Sequence, residues 1–364
     1  MNRPSSTVAV VRSNNRRGAV AEALALIAGD LGPMPPEVSI LADFAATRSP
    51  WAWTHPDTLS ATLDVLFSKG ADQALVHSCN QQILEHSRLR LETFGRPVRF
   101  PAALDPNEPK SWHQVEIDPG DGPSVLVRVH RSSSLVSIAT MKTDGISTVA
   151  LGLANLLNLV HPDDRVVPRL DHPEIDHALR SAWTKVRGRA CGIWDRITTR
   201  SDSNAWRRLN PSATTLIQKA ERSARLLACL ADRVRPVLSV VDGFRAMHRE
   251  GPKHGRSIAL GVVIAGVDPV AVDAVSAAIM GFDPSEIVHL KYADDRAVGR
   301  ANLDTISIVG DSLESVRRRC IPHSNQRILR HSNRLMDSIS RSTRDSVVPT
   351  PHLGPVRSAN PSRR

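Results

Sequence analysis

The chain has 364 residues, a formal net charge of +10 at pH 7 and a hydrophobic fraction of 41%. This length accommodates one large domain or two ordinary ones, and no apolar run reaches the roughly 20 residues that a membrane-spanning helix requires. Aromatic residues make up only 4% of the chain, so its core must consist mainly of alanine, valine, leucine and isoleucine. These values favour a globular protein without a membrane-spanning helix.

The first third of the chain alternates short apolar runs with helical patterns. Strands are predicted at residues 7–12, 38–44 and 74–77, and helices at 19–28, 57–69 and 83–94. Arg16 and Arg17 precede an apolar stretch, as in a twin-arginine export signal, but Glu22 interrupts that stretch and a strand comes before the pair. A first β–α unit explains the pattern better, and we expect a cytoplasmic protein.

The middle of the chain begins with a predicted β-hairpin. Its strands, 113–117 and 124–130, flank a turn rich in Gly and Pro. A buried strand is predicted at 135–140, followed by a helix at 146–159 and a long helix at 212–234. Residues 161–210 between these helices are polar and are interpreted as an insertion.

Residues 236–283 contain the clearest signals in the sequence for where strands and helices begin and end. An apolar run at 238–241 ends at Asp242-Gly243, and a second run at 257–265 ends at Gly266. Asp268 then provides a helix cap before Pro269, which predicts a helix to about residue 280. A helix at 284–293, a strand at 306–309 and a helix at 313–319 follow. This order predicts an α/β fold with a mostly parallel sheet, helices on both faces and one β-hairpin.

Several of these segments resemble the sequence motifs of a known family. The segments are LSVVDG at 238–243, GPKHG at 251–255, VIAGVDPVAVDA at 263–274, MKT at 141–143 and THPD at 54–57. Together they resemble the domain-of-unknown-function family 362, a bacterial and archaeal α/β family whose members often carry an added ferredoxin-like iron–sulfur module. The resemblance covers most of residues 7–316. It implies the fold, and it implies no particular reaction.

This chain departs from the family pattern at several positions. Asp144 stands where the resemblance places His, Ala154 stands where it places Lys beside Asn155, and residues 42–44 replace a Lys-Pro-Asn segment. The four cysteines show no C-x-x-C spacing, so we expect no iron–sulfur cluster. Cys79 has His77 and His86 nearby, but without a third orienting group we assign it no nucleophilic role.

We interpret residues 1–320 as one large domain and residues 321–364 as a tail. The tail holds eight arginines, two aspartates and no lysine or glutamate, a local net charge of +6. Its Arg, Ser and Pro content predicts disorder. Nucleic-acid binding is the less favoured reading, because the tail has no aromatic residue for stacking and no long basic run.

Three charged residues are the predicted catalytic group. Asp242 directly follows a buried strand, so it either forms a turn or projects into the crevice at the carboxyl edge of the sheet. Asp273 lies in an otherwise apolar helix, on a stripe that faces either water or the crevice beside Asp242, and we favour the crevice. Lys142 follows the strand at 135–140 and would neutralise an anionic ligand. The hypothesis is that all three converge, and that Asp242 and Asp273 either hold Mg²⁺ or another divalent metal or shuttle protons.

A second set of residues is predicted to bind the ligand. Gly251, Lys253, His254 and Gly255 form a flexible basic loop that suits a phosphate or carboxylate, although the pattern favours an ordinary surface turn over a binding loop. Asp268 is explained better by a capping role than by a ligand role. The other predicted ligand contacts are Asp144, Asn155 and Gly243.

Two functional hypotheses follow from the sequence. One is an enzyme that acts on an anionic small molecule, with a carboxylate-bound metal or in a redox or cofactor-related pathway. The alternative is a catalytically weakened ligand-binding or assembly protein of the same fold, which the departures at Asp144 and Ala154 favour. The expected partners are the anionic molecule and an electron-transfer or assembly protein, with neither nucleic acid nor membrane.

Overall fold

A computed structural model describes residues 6–43, 49–77, 97–99, 112–117, 124–130, 134–161, 164 and 211–329. The helix predicted at 83–94, nearly all of the predicted insertion and residues 330–364 lie outside the described residues. Within the described ranges, no helix is long and apolar enough to cross a membrane.

Nine strands form the main sheet, and two more form a separate hairpin. The strands are β1 (Ser6–Arg12), β2 (Glu37–Ala42), β3 (Gln73–His77), β4 (Val98–Arg99), β5 (Trp112–Ile117), β6 (Val125–His130), β7 (Leu135–Asp144), β8 (Thr148–Ala150), β9 (Leu238–His248), β10 (Arg256–Gly266) and β11 (Ile306–Gly310). The order in the main sheet is β11-β1-β10-β9-β7-β2-β3-β4, with β8 paired to β7, and β5 pairs with β6. Among the described strands of the main sheet, only β8 and β10 run antiparallel to their neighbours, which confirms the predicted mostly parallel sheet with one separate hairpin.

Helices cover both faces of this sheet. They are α1 (Arg16–Leu26), α2 (Pro56–Ser68), α3 (Gly152–Asn155), α4 (Pro211–Val234), α5 (Pro269–Ile279), α6 (Val288–Asp295) and α7 (Leu313–Val316). We call the face packed against α1 and α2 the first face, and its core includes Val38, Ile40, Val136 and Val240. The opposite, second face packs against α3, α4, α5, α6 and the β5–β6 hairpin.

Capping explains where several helices begin. The Asn15 side chain accepts a hydrogen bond from the amide of Gly18 at the start of α1. Asp268 accepts from the amides of Val270 and Ala271 at the start of α5, where Pro269 occupies the first helical position. These bonds satisfy backbone donors that have no partner within the helix.

The structure corrects several predicted boundaries. The helix predicted at 146–159 is instead strand β8, the short helix α3 and a 3-10 helix at Leu156–Leu159. Strand β9 does not end at residue 241 but continues through Asp242 to His248. The predicted tail also starts too early, because His323, Gln326 and Leu329 are buried against the domain.

Candidate functional site

The carboxyl ends of β2 and β7 lie side by side at a switch point of the sheet. These two strands pair in parallel. The chain leaves β2 through α2 on the first face, and it leaves β7 toward α3 and α4 on the second face. Neighbouring strands whose connections run to opposite faces leave a crevice between their carboxyl ends, which is where open α/β sheets bind ligands.

Lys142 and Asp43 form a buried ion pair in this crevice. The ammonium of Lys142, a residue only 2% exposed, contacts Oδ2 of Asp43. The same oxygen accepts a hydrogen bond from the amide of Thr140 at 3.1 Å, and the Thr140 hydroxyl lies 2.9 Å away. Asp43 is itself fixed, because its amide donates to Thr54 Oγ1 and its carbonyl accepts from the Thr54 amide. The pair is therefore anchored by the backbone of two strands.

Asp242 forms a second ion pair beside the first. Its Oδ2 accepts a hydrogen bond from the Thr58 hydroxyl at 2.6 Å and lies 3.2 Å from Nε of Arg16. Its Oδ1 accepts from the amide of Phe244, whose ring lies 4.9 Å below the Arg16 guanidinium. Asp242 is only 2% exposed. It forms both a local, turn-type hydrogen bond with the Phe244 amide and a long-range ion pair with Arg16.

The two ion pairs share one face of the sheet. Thr140 lies opposite Asp242 in the register of β7 and β9, and both alternate with residues of the second-face core. Thr140, Lys142 and Asp242 therefore all lie on the first face, where α1 and α2 begin. The two cations and the two carboxylates balance in formal charge.

The comparison with known proteins agrees with this architecture. The family described as "Domain of unknown function (DUF362)" matches residues 38–278, which is more than half of the chain. The chain belongs to this family. No curated protein matches it.

In this DUF362 member, Asp273 is not part of the crevice. It lies on α5 against the second face, and its two oxygens accept hydrogen bonds from the amides of Gly152 and Leu153, both at 2.9 Å. It therefore caps α3. Burial, which leaves Asp273 0% exposed, raises its pKa to about 7. The hypothesis that all three catalytic candidates converge is wrong, since only Lys142 and Asp242 share a face.

The predicted metal pair does not fit this geometry. Asp242 and Asp273 lie on opposite faces, and each of their four oxygens already accepts an N–H or O–H donor. The carboxylate of Asp242 is also compensated by Arg16. Among the described residues, no group of three or more His, Cys, Asp or Glu side chains could hold a metal ion.

Two other predicted residues have structural bonds away from the crevice. The side-chain amide of Asn155 donates to the carbonyl of Leu41 at 3.0 Å and lies within reach of Ser137, so it ties α3 to strands β2 and β7 from the second face. Asp268 lies at the opposite edge of the sheet, where it caps α5 and accepts from the amide of Arg300 at 2.9 Å.

The predicted basic loop packs against the end of β7. A Cβ atom at Gly251 would lie 2.3 Å from the Thr143 carbonyl oxygen, and one at Gly255 would lie 2.3 Å from Cγ of Met247. Both glycines therefore permit close backbone approach. Lys253 and His254 are exposed between them. Their predicted role in ligand binding stays a prediction.

Asp144 and Gly243 also serve local structure. Oδ1 of Asp144 accepts from the amides of Ile146 and Ser147, both at 2.7 Å, which forms the turn into β8. A Cβ atom at Gly243 would lie 2.8 Å from Val262 and 3.1 Å from Met141. The close packing of β9 against its neighbours therefore explains this glycine.

His77 ends β3 opposite Leu41 of β2, a residue of the second-face core. It is buried with its ring 5.1 Å from that of His130, and burial lowers its pKa to about 4, with a further contribution from His130. Cys79 and His86 lie outside the described residues.

Sequence reasoning missed Arg16, Asp43 and Thr58 as members of this site. Asp43 carries the same signal as Asp242, an acid directly after an apolar run. Arg16 precedes an apolar stretch, so its position in the sequence suggests an export signal and not a binding site. Thr58 gave no signal, because its bond to Asp242 joins segments far apart in the sequence.

Proposed function

We propose that this protein binds an anionic small molecule, a carboxylate or a phosphate, in the crevice between β2 and β7 through Lys142 and Arg16. The observation that carries the proposal is the Lys142 ammonium, buried at the switch point with Asp43 as its partner. A buried charge is expensive to desolvate, and this one lies at the carboxyl edge of the sheet, where open α/β sheets bind ligands. A ligand at this point explains why the chain retains it.

Within the part of the chain that the structure describes, both cations have hydrogen-bond donors left for a ligand. An ammonium has three N–H donors, and the Lys142 ammonium contacts one carboxylate oxygen. A guanidinium has five, and Arg16 pairs with one oxygen of Asp242 through Nε. The carboxylates and the Phe244 ring fix the directions of the two cations. Prefixed cations bind an anion at a lower entropic cost than flexible surface side chains do.

Native mass spectrometry of the purified protein, followed by thermal melts with inorganic phosphate, pyrophosphate, succinate and citrate, tests this proposal. An anion at about 100 times its dissociation constant should stabilise the protein by about 2.7 kcal/mol. The variants Arg16→Met and Lys142→Met should lose that shift. The matched control is Arg17→Met, because Arg17 is adjacent in sequence but pairs with Asp64 at an exposed position.

Three results would overturn the proposal. One is the absence of both a retained anion and a thermal shift in the wild-type protein. The second is an unchanged shift in both crevice variants, and the third is an equal loss in Arg17→Met, which would indicate non-specific charge effects.

A second candidate function is enzymatic proton transfer by the Lys142–Asp43 pair. The observation that favours it is the hydrogen-bonded contact between an ammonium and a carboxylate, both shielded from water. Such a pair can donate a proton to a bound anion or accept one from it. If it does, a bound carboxylate with an adjacent C–H should exchange that hydrogen in D₂O, as followed by NMR. Asp43→Asn should abolish the exchange, and exchange at the uncatalysed rate in the wild type would exclude this function.

A further inference from the structure

Arginines from three separate parts of the sequence lie near one another beside the end of β9 and the start of β10. We call this group the arginine surface, and its members are Arg12, Arg249, Arg256, Arg317, Arg318 and Arg319. Each of them is exposed. Within the part of the chain that the structure describes, none of them forms an ion pair with an Asp or Glu side chain.

The β9–β10 hairpin contributes Arg249 and Arg256. His248 lies between them, because it pairs with Arg256 in the register of the two strands and directly precedes Arg249. The amide of Arg249 donates to the carbonyl of Ile321 at 2.7 Å, and the amide of Ile321 donates to Nδ1 of His248 at 3.3 Å. Burial, followed by the charges of the two arginines, lowers the pKa of His248. The segment that ends at Ile321 therefore lies against the end of this hairpin.

That segment, residues 317–321, supplies three consecutive arginines. The amide of Arg318 donates to the carbonyl of Ile279 at 2.8 Å, and the amide of Cys320 donates to the carbonyl of Met280 at 2.9 Å. These bonds hold the backbone of the segment along the end of α5. The arginine side chains are exposed on a backbone that is fixed.

The arginine surface lies on the second face of the sheet. Arg12 is two residues from Val10, a residue of the second-face core, and Arg256 is two residues from Ile258, which packs against the same core. Side chains two residues apart on a strand share a face. Nη1 of Arg12 donates to the carbonyl of Ser315 at 3.3 Å, which connects β1 to the segment that carries the three arginines. The crevice, by contrast, lies on the first face.

Three carboxylates near the arginine surface compensate part of its charge. Asp311 accepts a hydrogen bond from the amide of Arg12 at 2.7 Å, and Glu314 is exposed in the short helix α7. Glu250 pairs with His323 at 3.0 Å. Six arginines against three carboxylates leave a formal net charge of +3 in this part of the molecule.

The chemistry of this surface fits the phosphates of a nucleic-acid duplex. Guanidinium groups bind phosphate oxygens in a bidentate geometry, and interfaces with DNA are much more positively charged than interfaces between proteins. A protein partner would require an apolar or aromatic centre, and binding to single strands or membranes relies on aromatic or other large apolar side chains. At residues 248–256 and 312–321, Ile321 is the one large apolar residue that the structure describes as exposed, and the sequence there has no Trp, Tyr or Phe.

We propose that the arginine surface binds the phosphate backbone of double-stranded nucleic acid without reading the base sequence. The arginines at 317–319 contact phosphates from the fixed segment, and Arg249 and Arg256 contact further phosphates from the hairpin. Contacts to phosphates position a protein on a duplex and carry no sequence information. The sequence-based argument against nucleic acid concerned the tail, whereas this site lies in the folded domain. It is independent of anion binding in the crevice.

Fluorescence anisotropy with labelled 20-bp DNA and RNA duplexes, at 50 to 200 mM KCl, tests the proposal on the full chain. With about four phosphate contacts, the logarithm of the binding constant should fall with the logarithm of the salt concentration with a slope of about −3.6. The affinity should therefore fall about 100-fold over this range. Equal affinity for both duplexes would show that the shared phosphate chemistry is recognised, and a preference would identify which of the two is the ligand.

Two variants on separate elements test the arginine surface. Arg317→Gln/Arg318→Gln/Arg319→Gln should bind about ten-fold more weakly at 100 mM KCl, with a slope that is shallower by about 2. Arg249→Gln/Arg256→Gln should bind about five-fold more weakly, with a slope that is shallower by about 1. Both changes are at exposed positions and leave the backbone hydrogen bonds in place.

The matched control is Arg99→Gln/Arg233→Gln/Arg296→Gln, which removes the same charge from exposed positions outside the arginine surface. It should change the affinity by less than about two-fold. The proposal is overturned if neither duplex binds at 50 mM KCl, or if both test variants bind like this control, which would assign binding to the tail or to overall charge. It is also overturned if phosphatidylserine vesicles or poly-L-glutamate of equal charge bind as tightly as the duplexes.

Discussion

Replacing Asp43 by Asn tests whether the buried Lys142 depends on a single carboxylate. The side chain of Lys142 is 2% exposed and that of Asp43 is 10% exposed, so solvent screens the pair very little. The Asn carbonyl oxygen still accepts from Thr140, and the main loss is the charge that compensates Lys142. Removing one partner of a buried ion pair costs about 3–5 kcal/mol. We expect a loss near the lower value, about 3 kcal/mol, since Asn keeps the shape and one acceptor.

Urea unfolding at pH 7.5, followed by far-ultraviolet circular dichroism, measures this loss. The double variant Asp43→Asn/Lys142→Met should be more stable than Asp43→Asn alone, because it removes the uncompensated charge as well as its partner. The control is Asp64→Asn, which breaks the exposed pair with Arg17 and should cost about 0.5 kcal/mol or less. If Asp43→Asn is as mild as this control, or if Lys142→Met adds to the loss, the account of a buried, interdependent pair is refuted.

Two further predictions concern the second face and the packing of β9. Burial raises the pKa of Asp273 from 3.8 to about 7, so its contribution to stability is complete below about pH 4 and is lost as the pH rises toward 7. Urea melts should therefore show the wild type losing up to about 4 kcal/mol relative to Asp273→Asn between pH 4 and pH 7.5, and parallel profiles would contradict the raised pKa. Gly243→Ala should cost about 1–3 kcal/mol, because its Cβ would lie 2.8 Å from Val262, whereas Gly32→Ala, with no atom within 4 Å, should be nearly neutral in the same melts.

Helices with characteristic starting and terminating residues at both ends could be predicted from the sequence. Helix α2 begins at Pro56 and stops before Gly70, which adopts a positive φ of 108°. Helix α5 has a capping Asp, a proline and an exit glycine. The stretch at 146–159 contains Gly152 but no capping residue or proline that fixes a boundary, and its short apolar runs fit a strand and a helix equally well. The turn into β8 requires Thr148 to adopt a φ of 73°. A β-branched residue rarely adopts a positive φ, so the sequence does not predict this turn.

Asp242-Gly243 shows why a turn signal can mislead. The pair was interpreted as the end of a strand, but β9 continues because its partner β10 extends beyond the edge of the parallel strands. The glycine allows close approach of Val262 and Met141 rather than a reversal of the chain. A glycine inside a strand pattern indicates either a reversal of the chain or a close approach of a neighbouring strand, and only the position of that strand distinguishes the two.

The sequence predicts the edge of the sheet at which the candidate site lies. It does not predict the correct face of the sheet for every candidate residue. Asp242 shares its parity with Leu238 and Val240, and these residues pack against α1 and α2. That parity is readable in the sequence, because side chains alternate along a strand. Which helices cover that side, and hence that Arg16 and Thr58 meet Asp242, depends on the order of the strands in the sheet.

Asp273 illustrates the limit of the same reasoning for helices. The sequence left two options, a stripe that faces water or a stripe that faces the crevice, because both follow from an amphipathic helix. Every residue of α5 is buried, so the helix has no exposed stripe to read. A buried acid can then be satisfied by backbone amides of a neighbouring element, and a Cβ at Gly152 would lie only 2.9 Å from its oxygen. The acid in the apolar helix, Asp273, therefore binds the backbone of a neighbouring helix. The acids that follow apolar strand residues, Asp43 and Asp242, belong to the candidate site.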